Sequence, residues 1–381
     1  LRPNPFASFV AMSSFRLGLI ADIQYADCDD GTDFSGMERR YFRNSLNIAR
    51  RAVDCWNAEG VDAVVQLGDI IDGCNSKLKQ SEKALKTVLD VLSRSPVPRY
   101  DLMGNHELYN LHRDALEKWG LRCCAAGRSY YSAHLGDFWE GIFLDPFEVA
   151  LIGLSPDSPE FLEATQMMQD HNPQVLSGAK DWFAGLPHEK HRFVPYNGAI
   201  SQVQLEWLKK AIESAEADSR KILIFLHVPL YEPATKAKTV VWNAEEILQV
   251  LHQHGESVVA VFAGHDHDGG YAVDEGGLHH ITMNSPLTAT GDCFAILECH
   301  EGWAHFKAYG RACVESNTLG RGLAYPELIL AKDAVNVASP VSQSEEGSQQ
   351  LQAMGFNCAE AKKALEATSG NVDEAVALLC G

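Results

Sequence analysis

The sequence predicts an α/β domain with a polar site along one rim of its sheet, followed by a linker and a small helical bundle. Three observations lead there. Five short, nearly continuous apolar runs each end in residues able to hold a metal or a phosphate. Helical periodicity fills intervals between them. After about residue 331 the composition turns to Ser, Val, Gln and Glu, and a compact series of helix patterns with their own caps follows.

The runs come in this order. Phe15 to Ala21 leads into Asp22-Ile23-Gln24, and Val61 to Leu67 into Gly68-Asp69-Ile70-Ile71-Asp72. Pro98 to Met103 leads into Gly104-Asn105-His106-Glu107. Lys221 to Leu226 leads into His227, and Ser257 to Ala263 into Gly264-His265-Asp266-His267. Short β-branched runs of this kind fit strands buried on both faces. Apolar residues recur at helical spacing over 39–58, 81–92 and 202–215. Alternating strand and helix means an α/β sheet, whose sites form beyond the carboxyl ends of the strands. Clusters far apart in sequence can therefore converge. Residues 136–200, rich in aromatics, Pro and Gly without a clear period, are expected to be loops and short helices around the mouth of the site.

Composition narrows the functional class. A chain of 381 residues, 46% hydrophobic and 22% charged, can bury a large core. Its formal charge of -19 argues against nucleic acid or an anionic membrane as partner, since both need a basic footprint. A small anionic substrate stays open, because bound cations invert the local field. Ten cysteines without a C-x-x-C pair point to free thiols in a reducing compartment, the cytoplasm.

A two-metal hydrolytic site needs a carboxylate between the ions, hard oxygen or imidazole ligands around each, and an open position for water and substrate. The five clusters supply that set. Asp69 is the natural bridge. Asp22, Gln24 and His267 would complete one metal, and Asn105, His227 and His265 the other. His106 would be free to stabilise charge on a phosphoryl group or protonate the leaving oxygen. Two ions bring +4 against -2 from Asp22 and Asp69, which favours a phosphate ester or anhydride. A single Asp or His at a strand end is ordinarily structural; the joint occurrence in this order makes the site. The remaining histidines, His188, His191, His252, His254, His279 and His280, read as surface or loop residues.

These motifs resemble the calcineurin-like metallophosphoesterases, whose pattern is D-x-H, GD, GNH[DE], a lone H and GH-x-H. Gln24 departs from it, standing where most members have histidine. An amide oxygen is a weaker, neutral ligand and favours a harder ion such as Mn²⁺; Zn²⁺, Fe and Mg²⁺ are the other ions such a site accepts. With D-x-Q, the sequences Gly-Asp-Ile-Ile-Asp-Gly at 68–73 and Gly-His-Asp-His-Asp-Gly-Gly-Tyr at 264–271 look like the manganese-dependent ADP-ribose/CDP-alcohol diphosphatases. The resemblance spans about residues 15–325. It implies a four-layer αββα sandwich, two sheets face to face with helices outside. It also implies hydrolysis of the phosphoanhydride in ADP-ribose, CDP-choline or CDP-glycerol, giving AMP or CMP and a phosphorylated remainder. Phe34 matches a family aromatic on the nucleotide side. Arg39, Arg40 and Arg43 open the helix after the first motif, with Arg39 and Arg43 the expected clamp on the second phosphate. Asn197, in Tyr196-Asn197-Gly198, is expected at the substrate.

The expected domains are 12–332 for catalysis, 333–345 as linker and 346–381 as a three-helix unit. Asn357 to Glu360 and Asn371 to Glu374 read as caps, and Gly355 and Gly370 as helix ends. This tail resembles a ubiquitin-associated domain through Met354-Gly355-Phe356 and Gly370-Asn371-Val372-Asp373-Glu374-Ala375. The resemblance implies a ubiquitin patch at Met354, Gly355, Phe356 and Leu379, beside Leu378. The rival functions are a phosphomonoesterase or cyclic-nucleotide phosphodiesterase on the same fold, and a ubiquitin adaptor with an inactive esterase domain.

Overall fold

The computed structural model describes residues 14–33, 36, 38–121, 129–312, 314–315, 323–332, 334, 339–340, 351, 363–365, 367–368 and 371–380. Two six-stranded sheets dominate. From edge to edge the first runs Glu327–Leu330, Trp303–Gly310, Cys293–His300, Phe15–Ile20, Ala63–Gln66 and Arg99–Asp101. The second runs Gly270–Val273, His279–Thr282, Val258–Ala263, Lys221–Phe225, Trp139–Phe143 and Tyr131–Leu135. All five expected runs form strands.

Parallel pairing aligns their carboxyl ends. Leu19 pairs with Val65, and Val65 with Tyr100, in the first sheet. Ile224 pairs with Val261 in the second. Antiparallel strands close both edges of the second sheet and one edge of the first, whose other edge, Arg99–Asp101, is parallel. The sheets face one another: Phe262 meets Phe306 at 6.1 Å between ring centroids, and Tyr100 stacks on Phe143 at 5.2 Å. Helix Phe42–Glu59 covers the first sheet, with Ser81–Leu92 packed beside it, and Gln202–Ala217 lies on the second. Gly18 lets helix Phe42–Glu59 dock closely, because a Cβ there would lie 2.6 Å from the ring of fully buried Trp56. The Trp56 indole donates to the Ala295 carbonyl at 3.1 Å, so its one polar atom is satisfied inside the core. The result is the four-layer αββα sandwich that the motifs imply.

Three expectations need correction. Residues 136–200 hold more than the expected loops and short helices: Trp139–Phe143 is a buried strand, and Pro159–His171 is a helix of 13 residues. Glu140 and Gly141 mask the apolar run, and Glu140 is accommodated by His134 Nδ1 at 2.5 Å. The helix did carry a local signal, Ser158 capping the Phe161 N–H with Pro159 in the first turn. Arg39 and Arg40 lie in a short strand paired with Gly31–Thr32, and the helix begins at Phe42. His279 and His280 are buried in a strand, because His279 bonds Tyr271 and the Ala331 carbonyl while His280 bonds Asp274.

Past the first sheet, Ser339–Pro340 pairs with Leu323–Ala324 inside the expected linker. In the tail, Leu351, Ala364, Leu365 and Ala375 form a separate small core, with Val376 and Leu379 packed on it. Asn371 Oδ1 accepts the Glu374 N–H at 3.3 Å and caps helix Val372–Cys380. Met354, Gly355, Phe356 and Phe34 lie outside the described residues. No helix among the described residues is long and apolar enough to cross a membrane.

Candidate metal centre

The loops after neighbouring strands are laced by backbone bonds. Asp22 N–H donates to the Gly68 carbonyl at 3.0 Å, and Gln24 N–H to that of Asp69 at 2.8 Å. Asp22, Gln24, Asp69 and His265 all have left-handed backbone, with φ of 47°, 42°, 57° and 70°. Such conformations cost a non-glycine residue about 1–3 kcal/mol each and persist only where surroundings over-determine them. Glu107 is one such constraint. Its buried carboxylate accepts the N–H groups of Asp69 (2.8 Å), Ile70 (2.6 Å), Ile71 (3.2 Å) and Gly104 (2.8 Å). A side chain at position 104 would collide with Asp69 Oδ1, so this turn requires glycine.

All seven expected ligands meet at this rim. Gln24 Nε2 lies 2.9 Å from both Asp69 Oδ2 and His267 Nε2. His267 Nε2 is 3.9 Å from Asp22 Oδ1. His227 Nε2 is 3.4 Å from Asp69 Oδ2 and 3.3 Å from Asn105 Oδ1. The His227 and His265 rings stand 5.0 Å apart. Asp69, His227 and His265 offer ligand atoms all within 4.8 Å of one another. Asp22 Oδ1 and Gln24 Oε1 are buried and accept no hydrogen bond. Buried oxygens with free lone pairs beside converging imidazoles suit a hard divalent cation.

Electrostatics agree with that fit. Burial pushes the Asp22 carboxyl up to about 6. Burial also raises Asp69, but the imidazoles of His227 and His106 outweigh it and hold that carboxyl far below its ordinary value. His227 would be lowered by burial, yet Asp69 drives it up to about 9. His265 is held well below the usual imidazole range by burial and by His227.

His106 Nδ1 accepts the Gly73 N–H at 2.8 Å, leaving the proton of a neutral ring on Nε2, 4.0 Å from Asp69 Oδ2. Asp72 Oδ2 lies 3.3 Å from Nδ1.

The expected substrate contacts fare differently. Arg43 is half-exposed and engaged by Asp27 at 2.9 Å and Asp29 at 3.0 Å. Arg39 is exposed, 5.9 Å above the Tyr41 ring. Arg40 is the guanidinium near the site, 3.9 Å from Asp72 Oδ2, with its Nε buried and making no hydrogen bond. Asn197 is fully buried beneath the rim, against His265; an amide with no exposed surface is not a substrate contact. Sequence reasoning missed Glu38, whose Oε2 is 3.2 Å from His267 Nδ1. It lies in no motif and 229 residues from that partner, so no local signal could have found it.

Comparison with known proteins agrees with this geometry. Residues 15–269 match the calcineurin-like phosphoesterase family, and residues 348–379 the UBA/TS-N domain. Proteins named manganese-dependent ADP-ribose/CDP-alcohol diphosphatase from Mus musculus and Homo sapiens are each 34% identical to the chain. Those matches cover 75% and 78% of this chain, and 87% and 91% of the relatives. One from Arabidopsis thaliana is also 34% identical, over 72% of this chain and 86% of its own. A crystal structure of a dimetal phosphatase from Danio rerio matches with a TM-score of 0.75 at 31% identity, covering 84% of this chain and 99% of that one. The chain therefore belongs to the calcineurin-like phosphoesterases and, within them, to the manganese-dependent ADP-ribose/CDP-alcohol diphosphatase family of metal-dependent hydrolases, with a ubiquitin-associated domain at its carboxyl end.

Proposed function

We propose that the chain hydrolyses the phosphoanhydride of ADP-ribose, CDP-choline, CDP-glycerol and related conjugates, using two divalent ions, with Mn²⁺ favoured. The observation that carries this reading is Gln24, whose amide end lies 2.9 Å from both Asp69 and His267. An amide there distinguishes the chain from the histidine-bearing pattern, and the relatives it matches are named for manganese and for these substrates.

Asp22, Gln24, Asp69 and His267 would hold one ion, and Asp69, Asn105, His227 and His265 the other. When bound, such ions polarise the phosphorus centre and make water nucleophilic near neutral pH. The chain's own groups do the rest. His106 presents Nε2–H beside Asp69, placed to donate to a phosphoryl or leaving oxygen. Arg40, tethered by Asp72, has donors left to clamp the second phosphate. Burial raises the Asp72 carboxyl, but His106 beside it outweighs burial and brings it down to about 2, so it stays anionic beside Arg40.

A panel of ADP-ribose, CDP-choline, cyclic AMP and a phosphopeptide with added Mn²⁺ tests this. Release of AMP and CMP from the first two is expected; turnover confined to the cyclic nucleotide or the phosphopeptide would refute it. The proposal includes a cytoplasmic setting, in keeping with the free thiols of Cys28, Cys55, Cys74, Cys293 and Cys299.

The carboxyl-terminal domain is proposed to bind ubiquitin through Met354, Gly355, Phe356 and the end of the last helix. Leu379 packs on the small core while Leu378 is 59% exposed, so Leu378 carries more of the patch there. Ubiquitin titration followed by NMR decides: chemical shifts unmoved at millimolar ubiquitin would sink it.

A further inference from the structure

We propose that Asn197 is a positioning residue of the metal centre, setting the tautomer of His265 and thus which imidazole nitrogen can face a metal. The inference rests on His265 being a ligand. Asn197 Nδ2 lies 2.8 Å from the Arg192 carbonyl, 2.9 Å from that of Lys238 and 3.2 Å from that of Val240. Three carbonyl oxygens around one atom admit only the nitrogen, because the flipped amide would set Oδ1 against all of them. Oδ1 is thereby aimed at His265 Nε2, 2.8 Å away. An amide oxygen has no proton to give. Nε2 therefore carries the hydrogen, and the lone pair remains on Nδ1.

The same logic gives the other two imidazoles the opposite sense. His227 Nδ1 is 2.7 Å from the Leu67 carbonyl, so Nδ1 carries a proton and Nε2 is the nitrogen turned toward Asp69. His267 Nδ1 is 3.2 Å from Glu38, with Nε2 toward Gln24. Asn197 does for His265 what a backbone carbonyl and a carboxylate do for its neighbours. It also ties residues 192–198 to the loop at 238–240, so the segment flanking the mouth is coupled to the ligand.

The test uses the full chain, with calorimetric titration of Mn²⁺ and nitrogen-resolved NMR of the imidazoles before metal is added. Wild-type His265 should show the Nε2–H tautomer. Asn197→Ala should lose it and bind Mn²⁺ about 10- to 100-fold more weakly, the usual cost of removing a ligand's outer partner. Asn197→Asp separates orientation from packing: its carboxylate still accepts the Nε2 proton, while the three carbonyls lose their donor. It should keep the tautomer and most of the Mn²⁺ affinity while melting at a lower temperature. An Nδ1–H tautomer in the wild type, or equal weakening by both variants, would overturn the proposal. If either variant fails to fold, the wild-type tautomer alone decides. The underlying reading fails separately, if His265→Ala binds Mn²⁺ as tightly as the wild type.

Discussion

The two sheets bring different chemistry to the rim. Loops of the first carry Asp22, Gln24, Asp69 and Asn105, all oxygen donors; loops of the second carry His227, His265 and His267, all nitrogen donors. Their supports differ too. The two carboxylates are held by backbone N–H groups: Asp69 Oδ1 accepts from His106 N, and Asp22 Oδ2 from His265 N. The imidazoles are aimed through their second nitrogen, against the Leu67 carbonyl, Asn197 and Glu38. Several of these supports cross the seam: His227 leans on the first sheet's Leu67, and Asp22 on the second sheet's His265. Neither half is oriented without the other, so the site depends on the packing of both sheets.

The sharpest way to break the comparison is to remove one donor from each half. Asn105→Ala and His227→Ala should each cut Mn²⁺-dependent turnover by about 10³-fold, since metal-centred charge stabilisation is worth several kcal/mol. Turnover of CDP-choline and ADP-ribose measures it, and a variant near wild-type rate would remove that residue from the site. Next is the brace of the oxygen half. Glu107→Gln replaces an all-acceptor carboxylate with a group that points hydrogens at N–H donors. It should cost about 3 kcal/mol of stability, read from denaturant midpoints. A loss confined to activity would mean the clamp is not structural.

A control for the nitrogen half sits away from the rim. Asp274 accepts from His280 at 2.9 Å and His252 at 2.8 Å. Burial raises its carboxyl, but these bonds outweigh it and hold it well below the ordinary value. A depressed carboxyl contributes stability that is complete above its unfolded value, near about 4, and is lost as pH falls through the lower folded value. Asp274→Asn should therefore destabilise by about 2 kcal/mol near neutrality. Its melting temperature should approach that of the wild type as pH drops below about 4, while near neutrality its Mn²⁺ affinity equals that of the wild type. A constant gap across that range would refute the linkage. The smallest effect is expected from Gln24→His, which gives the oxygen half an imidazole. It should shift preference from Mn²⁺ toward Zn²⁺ by about tenfold in competitive titration; an unchanged ratio would separate Gln24 from metal choice.

The seven candidate ligands were legible because they follow five apolar runs, and period and motif are local properties of a chain. The Trp139–Phe143 strand was hidden because Glu140 and Gly141 break its apolar pattern, and only the partner His134 makes a carboxylate tolerable there. Arg40 could not be told from Arg39 and Arg43, since three neighbouring guanidinium groups differ only in which carboxylates the fold sets beside them.

By itself the sequence determined the α/β class and the seven residues that meet, Gln24 among them. Only the tertiary structure decided how those residues are held: the left-handed backbone at four of them, the Glu107 clamp, the Glu38 brace and the place of buried Asn197 against His265. The reason is physical. A donor's identity is written at one position, whereas its orientation is set by hydrogen bonds to groups tens or hundreds of residues away, which exist only once the two sheets have packed.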